Sequence, residues 1–308
     1  MKSCPVCATQ YPDDANFCPM DASRLVTAQS APAAVAPKPA EKPAPRHDAE
    51  PAIADRFVPR GGEQVNALGA LIHATDRQGG ATVMVQLVET RALPTPAIAE
   101  RALRELKQLG KAKSDRILRV VDQGKLPDGR LYIASDEAGG PTLESIVAES
   151  GALPVGRARA IALAVGEALV EAQKVGVIHR DLSPRNVIVG SAIRLTGFGV
   201  AEPVTDKVYG APGFLSPEQA EGKPVDQRSN IYSLGALLYY MVTGQPPFTG
   251  DGVMMVQQHL HAQPEPPSAR QAGLPPELDR IVLKALEKSG GRRHLTLRQL
   301  LNEVEALP

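Results

Sequence analysis

Two short stretches of this sequence bring together residue types that could do chemistry. In the first, VIHRDLSPRNVIV at residues 177–189, Asp181 and Asn186 have the types and spacing of a phosphoryl-transfer site that acts on magnesium-bound phosphates. Such a site also needs a carboxylate for magnesium at the end of the next strand, in an Asp-Phe-Gly sequence. The corresponding stretch is IRLTGFGV, and Gly197 stands where that carboxylate is needed. The pattern fits either an enzyme with an unusual site or a fold that no longer transfers phosphate.

The second stretch lies at the N-terminus, where all 3 cysteines fall within the first 18 residues. CPVC and CPMD resemble the paired turns of a zinc ribbon, which hold one structural zinc ion tetrahedrally. The predicted ligands are Cys4, Cys7, Cys18 and Asp21. We favour zinc because so small a piece has no other means of folding, and we expect the module to bind protein. The alternative is a set of free thiols in a loose tail, with Asp21 solvated.

Composition excludes some classes of protein. Lys plus Arg and Asp plus Glu both number 34, so we expect no nucleic-acid binding that relies on a global positive field. The longest apolar candidate, AIALAVGEALVEA from Ala160, contains Glu167 and Glu171 and indicates a buried helix rather than a membrane span. No apolar segment follows MKSCPVC, so we expect no signal peptide and a cytoplasmic location.

The chain divides into three segments by composition. Residues 1–26 form the cysteine-containing module, and residues 27–55 are an Ala/Pro-rich linker that cannot bury enough apolar surface to fold. Residues 56–308 form one globular unit without an internal repeat. Its first part, to about residue 136, is predicted to be a small β-rich lobe, and residues from about 137 to 308 a larger helical lobe. The fold class is therefore α+β.

Hydrophobic periodicity and turn residues place the elements within that unit. Strands are predicted at Leu68–Thr75 and Thr82–Val88, and in RILRVVDQG and RLYIASDE. PAIAERALRELKQL is an amphipathic helix that ends at Gly110. Helices are also predicted at residues 156–175 and 229–243, and in PPELDRIVLKALEK and LTLRQLLNEVEAL near the C-terminus.

Residues 56–308 resemble the protein Ser/Thr kinase family, especially its bacterial members. HRDLSPRN (179–186) matches the catalytic loop, and GAPGFLSPEQ (210–219) matches the P+1 loop and Ala-Pro-Glu motif. QRSNIYSLGALLYYMVTGQPPF (227–248) matches the helix and loop that follow. Because the motifs occur in the family's order over nearly the whole unit, the resemblance implies the bilobal protein-kinase-like fold.

The resemblance also implies that the nucleotide site is degenerate. In QVNALGAL only Gly69 remains of the family's three phosphate-loop glycines, and it is also typical of a turn or bulge. Gln86 replaces the Lys that pairs with phosphates, and Met84 replaces the small residue beside the adenine. Glu105 is retained as the partner of that Lys, and it either accepts a neutral hydrogen bond from Gln86 or is a solvated charge on its helix. Ser183 replaces the Lys that steadies the transferred phosphate.

The catalytic-loop acid and amide are retained. In the family, Asp181 would accept the proton of the substrate hydroxyl and Asn186 would hold a magnesium ion. Both residues also brace this loop, and we favour the bracing role because the other parts of the site are missing. Ala211 replaces the P+1 Thr that usually contacts the catalytic Asp, and Asn230 replaces an Asp that accepts backbone N–H groups of this loop.

Residues that hold the helical lobe together are retained too. Glu218 and Arg293 match the family's buried ion pair, and His179 and Arg180 belong to the same structural framework. Losses therefore fall on residues that handle charge, and retentions on residues that brace the fold. That division is expected of a kinase-like protein that has lost catalysis.

The leading hypothesis is a pseudokinase that acts as a scaffold or allosteric regulator, with an active Ser/Thr kinase or its substrate as partner. On this hypothesis we expect structural zinc but no binding of ATP with magnesium. One alternative is an active or weakly active Ser/Thr protein kinase, in which a cation from elsewhere replaces the missing Lys. Another is a non-catalytic nucleotide sensor, against which Met84 argues.

The loop between the two motifs contains two hydroxyl residues. Thr205 and Tyr209 could accept a regulatory phosphate that pairs with Arg180, or they are ordinary loop residues.

Overall fold

The computed structural model describes residues 2–3, 9–12, 14–16, 26–27, 52–93, 95–201, 204 and 208–308. The predicted zinc ligands Cys4, Cys7, Cys18 and Asp21 lie outside the described residues, as do Thr205 and most of the predicted linker. The chain forms two compact units, Met1–Ala49 and Glu50–Pro308.

The described part of the first unit contains three short antiparallel strands. They are β1 (Lys2–Ser3), β2 (Gln10–Tyr11) and β3 (Val26–Thr27), with β1 in the centre. The ammonium group of Lys2 donates a hydrogen bond to the carbonyl oxygen of Ala15 at 3.0 Å. It also donates to the side-chain oxygen of Asn16 at 3.2 Å.

The first lobe of the second unit is a five-stranded antiparallel sheet. Its strands are β4 (Phe57–Asn66), β5 (Gly69–Asp76), β6 (Thr82–Val88), β7 (Val120–Lys125) and β8 (Leu131–Asp136), in the order β4-β5-β6-β8-β7. Residues 52–55 form a turn that is joined to the sheet by the Ile53–Phe57 bridge. The strands predicted at 68–75 and 82–88 are β5 and β6, which confirms the period-2 pattern that located them.

Side chains along β6 alternate between the two faces of the sheet, and only one of these faces borders a cavity. Val83, Val85 and Leu87 are buried in the sheet's own apolar cluster. Met84 and Gln86 project from the opposite face and line a cavity. The two substitutions singled out in the sequence therefore share one face of the strand.

One helix crosses this lobe, α1 (Pro96–Leu109). It begins with proline in the first turn and with Thr95, whose side chain accepts a hydrogen bond from the Ile98 amide. Gly110 follows the last helical residue, as predicted. The helix buries Ala102, Leu106, Leu109 and, unusually for an acid, Glu105.

The second lobe is helical. Its elements are α2 (Leu143–Ser150), α3 (Val155–Lys174), α4 (Pro217–Ala220), α5 (Gln227–Thr243), α6 (Gly252–His261), α7 (Pro267–Arg270), α8 (Pro276–Ala285) and α9 (Leu297–Glu305), with a short hairpin of β9 (Val187–Val189) and β10 (Ile193–Leu195). Helix α5 is buried along nearly its whole length, as its apolar sequence predicted. A Cβ atom at Gly235 would lie 2.6 Å from that of Ala285, so glycine permits close packing of α5 on α8. Within the described part of the chain, no helix is long and apolar enough to cross a bilayer.

Candidate functional site

A cavity of about 550 Å³ lies between the sheet and the helical lobe. Its apolar wall includes Leu71, Met84, Ile133 and Phe198. Among the described lining residues, the charged side chains are one cation, Arg185, and two acids, Glu144 and Asp181. The lining is therefore suited to an apolar or neutral group and disfavours a polyanion.

His179 anchors the loop that carries the acid. The ring is fully buried, its Nε2 donates to the carbonyl oxygen of Thr196 at 2.7 Å, and its Nδ1 accepts from the amide of Asp181 at 3.3 Å. The ring also packs on Phe198, with centroids 4.4 Å apart. Burial lowers the pKa of His179 to about 4, so the neutral ring acts as a structural donor and acceptor near pH 7.

The buried carboxylate of Asp181 is surrounded by hydrogen-bond donors. Its Oδ1 accepts from the backbone amide of Ala211 at 2.8 Å, so a backbone group contacts the acid where the family uses a threonine hydroxyl. Its Oδ2 lies 3.2 Å from the guanidinium of Arg185. The Asn186 side chain donates to the backbone carbonyl of Asp181 at 2.8 Å and lies 3.4 Å from the Oγ of Ser183. These contacts brace the loop.

Arg185 is a site residue that the sequence analysis missed, and Asn66 is another. The side chain of Arg185 is about one third exposed, lines the cavity and forms an ion pair with Asp181. The available signal was its position four residues after the acid, at the end of the same motif. That spacing is informative on a helix but not in a loop, whose geometry the sequence does not give.

Gly197 has neither a carboxylate nor room for one. Its φ is +81°, and a Cβ atom there would lie 2.6 Å from both the Cγ and the Oδ1 of Asn186. Side chains are strained in this backbone region, and contacts this short require a neighbour to move. Among the described residues, no three His, Cys, Asp or Glu side chains lie close enough together to hold a metal ion.

Gln86 does not bond to Glu105, so that prediction is wrong. The Gln86 amide donates to the carbonyl oxygens of Ala70 at 3.1 Å and Leu87 at 2.9 Å, and its Oε1 accepts from Asn66 at 2.7 Å. Both hydrogen-bonding ends of this side chain are thus used within the sheet, which leaves no donor aimed at α1.

Asn66 connects Gln86 to the turn between β4 and β5. Its Oδ1 accepts from the backbone amides of Leu68 and Gly69, both at 3.0 Å. Gly69 itself has φ +140°, and a Cβ atom there would lie 2.4 Å from the carbonyl oxygen of Leu87. Gly69 is therefore needed for the close approach of β5 to β6. In the family this turn covers phosphates; here its amides are bonded to a side chain.

Glu105 pairs with Arg180 instead of Gln86. The carboxylate lies 2.6 Å from the guanidinium, which also donates to the carbonyl oxygen of Ile178 at 3.1 Å. A charged donor is a stronger partner for a buried carboxylate than a neutral amide, which accounts for the choice. Burial, with the nearby charge of Arg101, lowers the pKa of Arg180 against the opposing effect of Glu105.

The ion pair predicted between Glu218 and Arg293 is present. Two parallel contacts of 2.9 Å join the side chains, and Ser229 donates to Glu218 at 2.5 Å. Burial acts to raise the pKa of Glu218, but the hydrogen bonds and charge of Arg293 outweigh it and lower that pKa. Arg293 also donates to the carbonyl oxygens of Glu287, Arg228 and Lys288. The pair therefore ties α4 to the segment before α9.

Asn230 accepts a hydrogen bond from the catalytic loop, as expected of this position, but its donor group is unused. Its Oδ1 accepts from the amide of His179 at 3.4 Å. Its buried Nδ2 has no hydrogen-bond partner among the described residues. An amide thus replaces the family's acid at the cost of one unsatisfied donor.

Comparison with known proteins places these features in a family. The family model described as protein kinase domain matches residues 67–304. Serine/threonine-protein kinase PknB of Mycolicibacterium smegmatis is 36% identical over 233 residues, which cover 71% of this chain and 37% of that protein. A probable serine/threonine-protein kinase of Corynebacterium efficiens is 32% identical over 274 residues, covering 83% of this chain and 42% of the relative. This chain thus spans about two fifths of the length of the curated relatives that it matches.

Solved structures agree with the fold. The crystal structure of a variant of the Mycobacterium tuberculosis PknI kinase domain has a TM-score of 0.69 and 26% sequence identity to this chain. The match covers 81% of this chain and 94% of that domain. The sheet-containing lobe and the helical lobe are therefore arranged as in a bacterial kinase domain.

Proposed function

The chain belongs to the protein kinase family, and we propose that this member is a pseudokinase that works by binding other proteins in phosphorylation signalling. In this role it acts as a scaffold or as an allosteric regulator, and an active Ser/Thr kinase or the substrate of one is the partner. The partner class follows from the family and not from a site on this chain.

One observation carries the proposal: the side chains at the phosphate end of the cleft are bonded to one another. Gln86 is engaged by Asn66, and Glu105 by Arg180. Phosphoryl transfer depends on cations and free backbone amides around the phosphates. Here the strand residue is neutral, and the turn amides at Leu68 and Gly69 already have an acceptor.

The residues present do not fit a magnesium-bound triphosphate. Magnesium prefers several oxygen ligands including carboxylates, and Gly197 supplies none. The Nδ2 of Asn186 donates to the loop backbone, so this residue offers magnesium only the single neutral oxygen of its side-chain amide, and the carboxylate of Asp181 is bonded to Arg185 and Ala211. These residues therefore do not support a catalytic step through ATP.

A phosphate-incorporation assay tests this proposal. The full chain is incubated with radiolabelled ATP, magnesium and a general basic protein substrate, beside the Asp181→Ala variant. We expect equal, background incorporation in both samples. Incorporation by the wild-type chain that disappears in Asp181→Ala would instead establish an active kinase.

An active or weakly active Ser/Thr kinase is the second candidate, and two observations favour it. The matched relatives are named serine/threonine-protein kinases. In addition, Asp181, Arg185 and Asn186 all line the cavity, so one cation is present near the retained acid. If Arg185 replaced the missing lysine, Arg185→Gln would abolish incorporation.

A nucleotide sensor is the third candidate, favoured by the size of the cavity. Met84 occupies part of the apolar wall of the cavity, and the cavity volume is still about 550 Å³. A sensor would bind nucleotide without incorporation, so nucleotide binding separates it from a member that binds only proteins, and the absence of incorporation separates it from an active kinase.

We also propose that Cys4, Cys7, Cys18 and Asp21 hold a structural zinc ion in a protein-binding module. The support is the sequence spacing, because these residues lie outside the described part of the chain. Metal analysis of the purified chain is expected to give about one zinc per chain, and Cys18→Ser to lose it. A zinc content unchanged by this substitution would contradict the assignment.

A further inference from the structure

One stretch of the chain is strongly basic, on α1 and in the loop that leads to β7. Residues 101–116, RALRELKQLGKAKSDR, contain six cations and two acids, so this stretch has a net charge of +4 in a chain whose formal charge is zero. Four of the six cations are exposed: Arg104, Lys107, Lys111 and Lys113. We refer to these four side chains as the basic patch.

The backbone places three of these cations in a row. Arg104 and Lys107 lie three residues apart on α1, and Lys111 follows Lys107 by four residues, which are the spacings of neighbours on a helix surface. The helical path continues beyond Leu109, because the amide of Lys111 donates to the carbonyl oxygen of Gln108 at 2.9 Å. The row is about 10 Å long and lies on the side of α1 opposite its buried residues.

The cations of the basic patch lack carboxylate partners in the described part of the chain. None of the four takes part in an ion pair there, whereas the next cations along the chain do. Arg116 is paired with Glu167 at 3.6 Å, and Arg119 with Asp136 at 2.7 Å. The charges of the basic patch are therefore available to a partner.

The fold itself does not account for the whole patch. Like charges at these helical spacings repel one another, which destabilises the helix. The helix dipole favours cations in the last turn, which explains Lys107 and Lys111 but not Arg104, more than one turn from the end of α1. Lys113 lies beyond that turn. An anionic partner outside the protein accounts for all four positions.

Acidic side chains limit the basic patch at both ends. Glu100 is exposed one helical turn before it, and Asp115 is exposed two residues after it. Asp115 also lines a polar cavity together with Glu167 and Glu171 of α3. A long polyanion such as a nucleic acid would meet these carboxylates, whereas a short acidic peptide fits between them.

We propose that the basic patch is the docking surface for a short acidic segment of a protein partner. The proposal rests on the proposed function, because it names the chemistry of the partner that a protein-binding member of the family recognises. Alternate side chains of an extended peptide lie on one side about 7 Å apart, so two or three acids at alternate positions match a row of about 10 Å. Complementary charge of this kind governs the choice of partner.

Fluorescence anisotropy with labelled peptides tests the proposal on the full chain. The acidic probe is a fluorescein-labelled peptide of about ten residues in which Glu and Ser alternate. A peptide with Gln in place of every Glu is the uncharged reference. A labelled single-stranded DNA of about the same charge tests the nucleic-acid alternative.

Two double variants separate the position of the charges from their number. Lys107→Gln combined with Lys111→Gln removes two cations of the basic patch. Lys125→Gln combined with Arg292→Gln removes two exposed cations elsewhere, at the end of β7 and before α9. Neither pair takes part in an ion pair in the described part of the chain, so both variants lose the same charge and leave no described carboxylate without a partner.

We expect saturable binding of one acidic peptide per chain, weakened about fivefold or more by the patch variant and less than about twofold by the control variant. A fivefold change is what two exposed ion pairs of ordinary strength give together. Equal weakening in both variants would overturn the proposal, because it would show attraction without a defined surface. Tighter binding of the DNA than of the acidic peptide would also overturn it.

Lysine labelling tests the same surface without any variant. The chain is acetylated with an N-hydroxysuccinimide ester, with and without saturating acidic peptide, and the sites are quantified by mass spectrometry. Lys107, Lys111 and Lys113 are expected to be labelled at least about threefold more slowly with the peptide, and Lys125 at an unchanged rate. Protection of all four lysines alike, or of none, would contradict docking at the basic patch.

The phosphate-incorporation assay on the same preparation keeps the two proposals distinguishable. Incorporation that depends on Asp181 would refute the pseudokinase assignment, whatever the peptide result. Background incorporation together with equal peptide binding by the patch and control variants would refute only the docking surface.

Discussion

At the scale of single residues, the acid on α1 has changed its partner. In the family this acid pairs with a lysine on the third strand, and sequence comparison alone suggested that Gln86 would take that place. The structure joins Glu105 to Arg180 at 2.6 Å, with both side chains mostly buried. The exchange follows from charge, because the guanidinium of Arg180 is a better partner for a carboxylate than the neutral amide of Gln86.

This pairing leads to a prediction for a double-mutant cycle. Glu105→Ala leaves the charge of Arg180 buried without its partner, so we expect a loss of about 3 kcal/mol in the free energy of unfolding. Gln86→Ala is expected to cost about 1 kcal/mol, from its hydrogen bonds in the sheet. Urea denaturation of the single and double variants measures both effects. We expect the Glu105 and Gln86 losses to add, and coupling above about 0.5 kcal/mol would contradict the exchanged pairing.

The geometry at Gly197 predicts that an acid introduced at this position destabilises the fold. Gly197→Asp must adopt φ near +81° and displace Asn186, so we expect it to lower stability by about 1–3 kcal/mol. Gly197→Ala introduces the same Cβ atom without charge, so we expect it to show most of the loss of stability seen in Gly197→Asp. Gln86→Lys combined with Gly197→Asp is expected to give no phosphate incorporation unless Met84 is also made small. Phosphate incorporation by the double variant would contradict this prediction, because it would show that the remaining cleft residues can support catalysis.

At the scale of elements, the turn between β4 and β5 is held by side chains rather than open for a ligand. Asn66 bonds to two backbone amides of the turn and to Gln86 on β6. Three hydrogen bonds therefore order a segment that in the family stays free to cover phosphates.

Removal of the Asn66 side chain should make this turn mobile. We expect Asn66→Ala to speed hydrogen exchange at the amides of Leu68 and Gly69 by about tenfold, because both lose their acceptor. Gln64→Ala is the control, since Gln64 is an exposed residue of the same strand. Hydrogen exchange followed by mass spectrometry measures the effect. If both variants exchanged at the wild-type rate, Asn66 would have no part in ordering the turn.

Sequence periodicity was sufficient to predict the strands and helices, but it could not predict which side chains pair within the site. β5, β6, α1 and α5 were predictable because alternation, helical spacing and capping residues are local signals. The partner of Glu105 depends on how α1 sits against the loop that carries Arg180, 75 residues away in the chain. Arg185 was missed for a different reason: a spacing of four residues predicts a contact on a helix but not in a loop. The ion pair of Glu218 with Arg293 was predictable only through the family resemblance, since no local pattern connects residues so far apart.

At the scale of the whole molecule, buried histidines make the fold sensitive to acid. His179, His259 and His294 are fully buried. Burial, the leading cause in each case, lowers the pKa of His179 to about 4 and that of His259 to about 3, and also lowers the pKa of His294. Between pH 6.5 and about 4 the unfolded chain therefore binds more protons at these residues than the folded chain does. The free energy of unfolding must fall as the pH drops through this window.

Each such histidine changes the free energy of unfolding by up to about 1.4 kcal/mol per pH unit within this pH window. We therefore expect urea midpoints to decrease steeply from pH 7 to pH 5. His259→Gln should lower stability at pH 7 and reduce the slope with pH, whereas the exposed His261→Gln should change neither. A slope that is the same in His259→Gln and wild type would show that this ring does not take up a proton on unfolding.

The most direct measurement of the central claim is a calorimetric titration of the full chain with ATP and magnesium. The bonded side chains at the phosphate end of the cleft, and the glycine at the magnesium position, predict a Kd weaker than about 1 mM. The predicted result is no saturable heat, both for the wild-type chain and for Asn186→Ala. Saturable binding below about 100 μM that requires magnesium and is lost in Asn186→Ala would contradict the account.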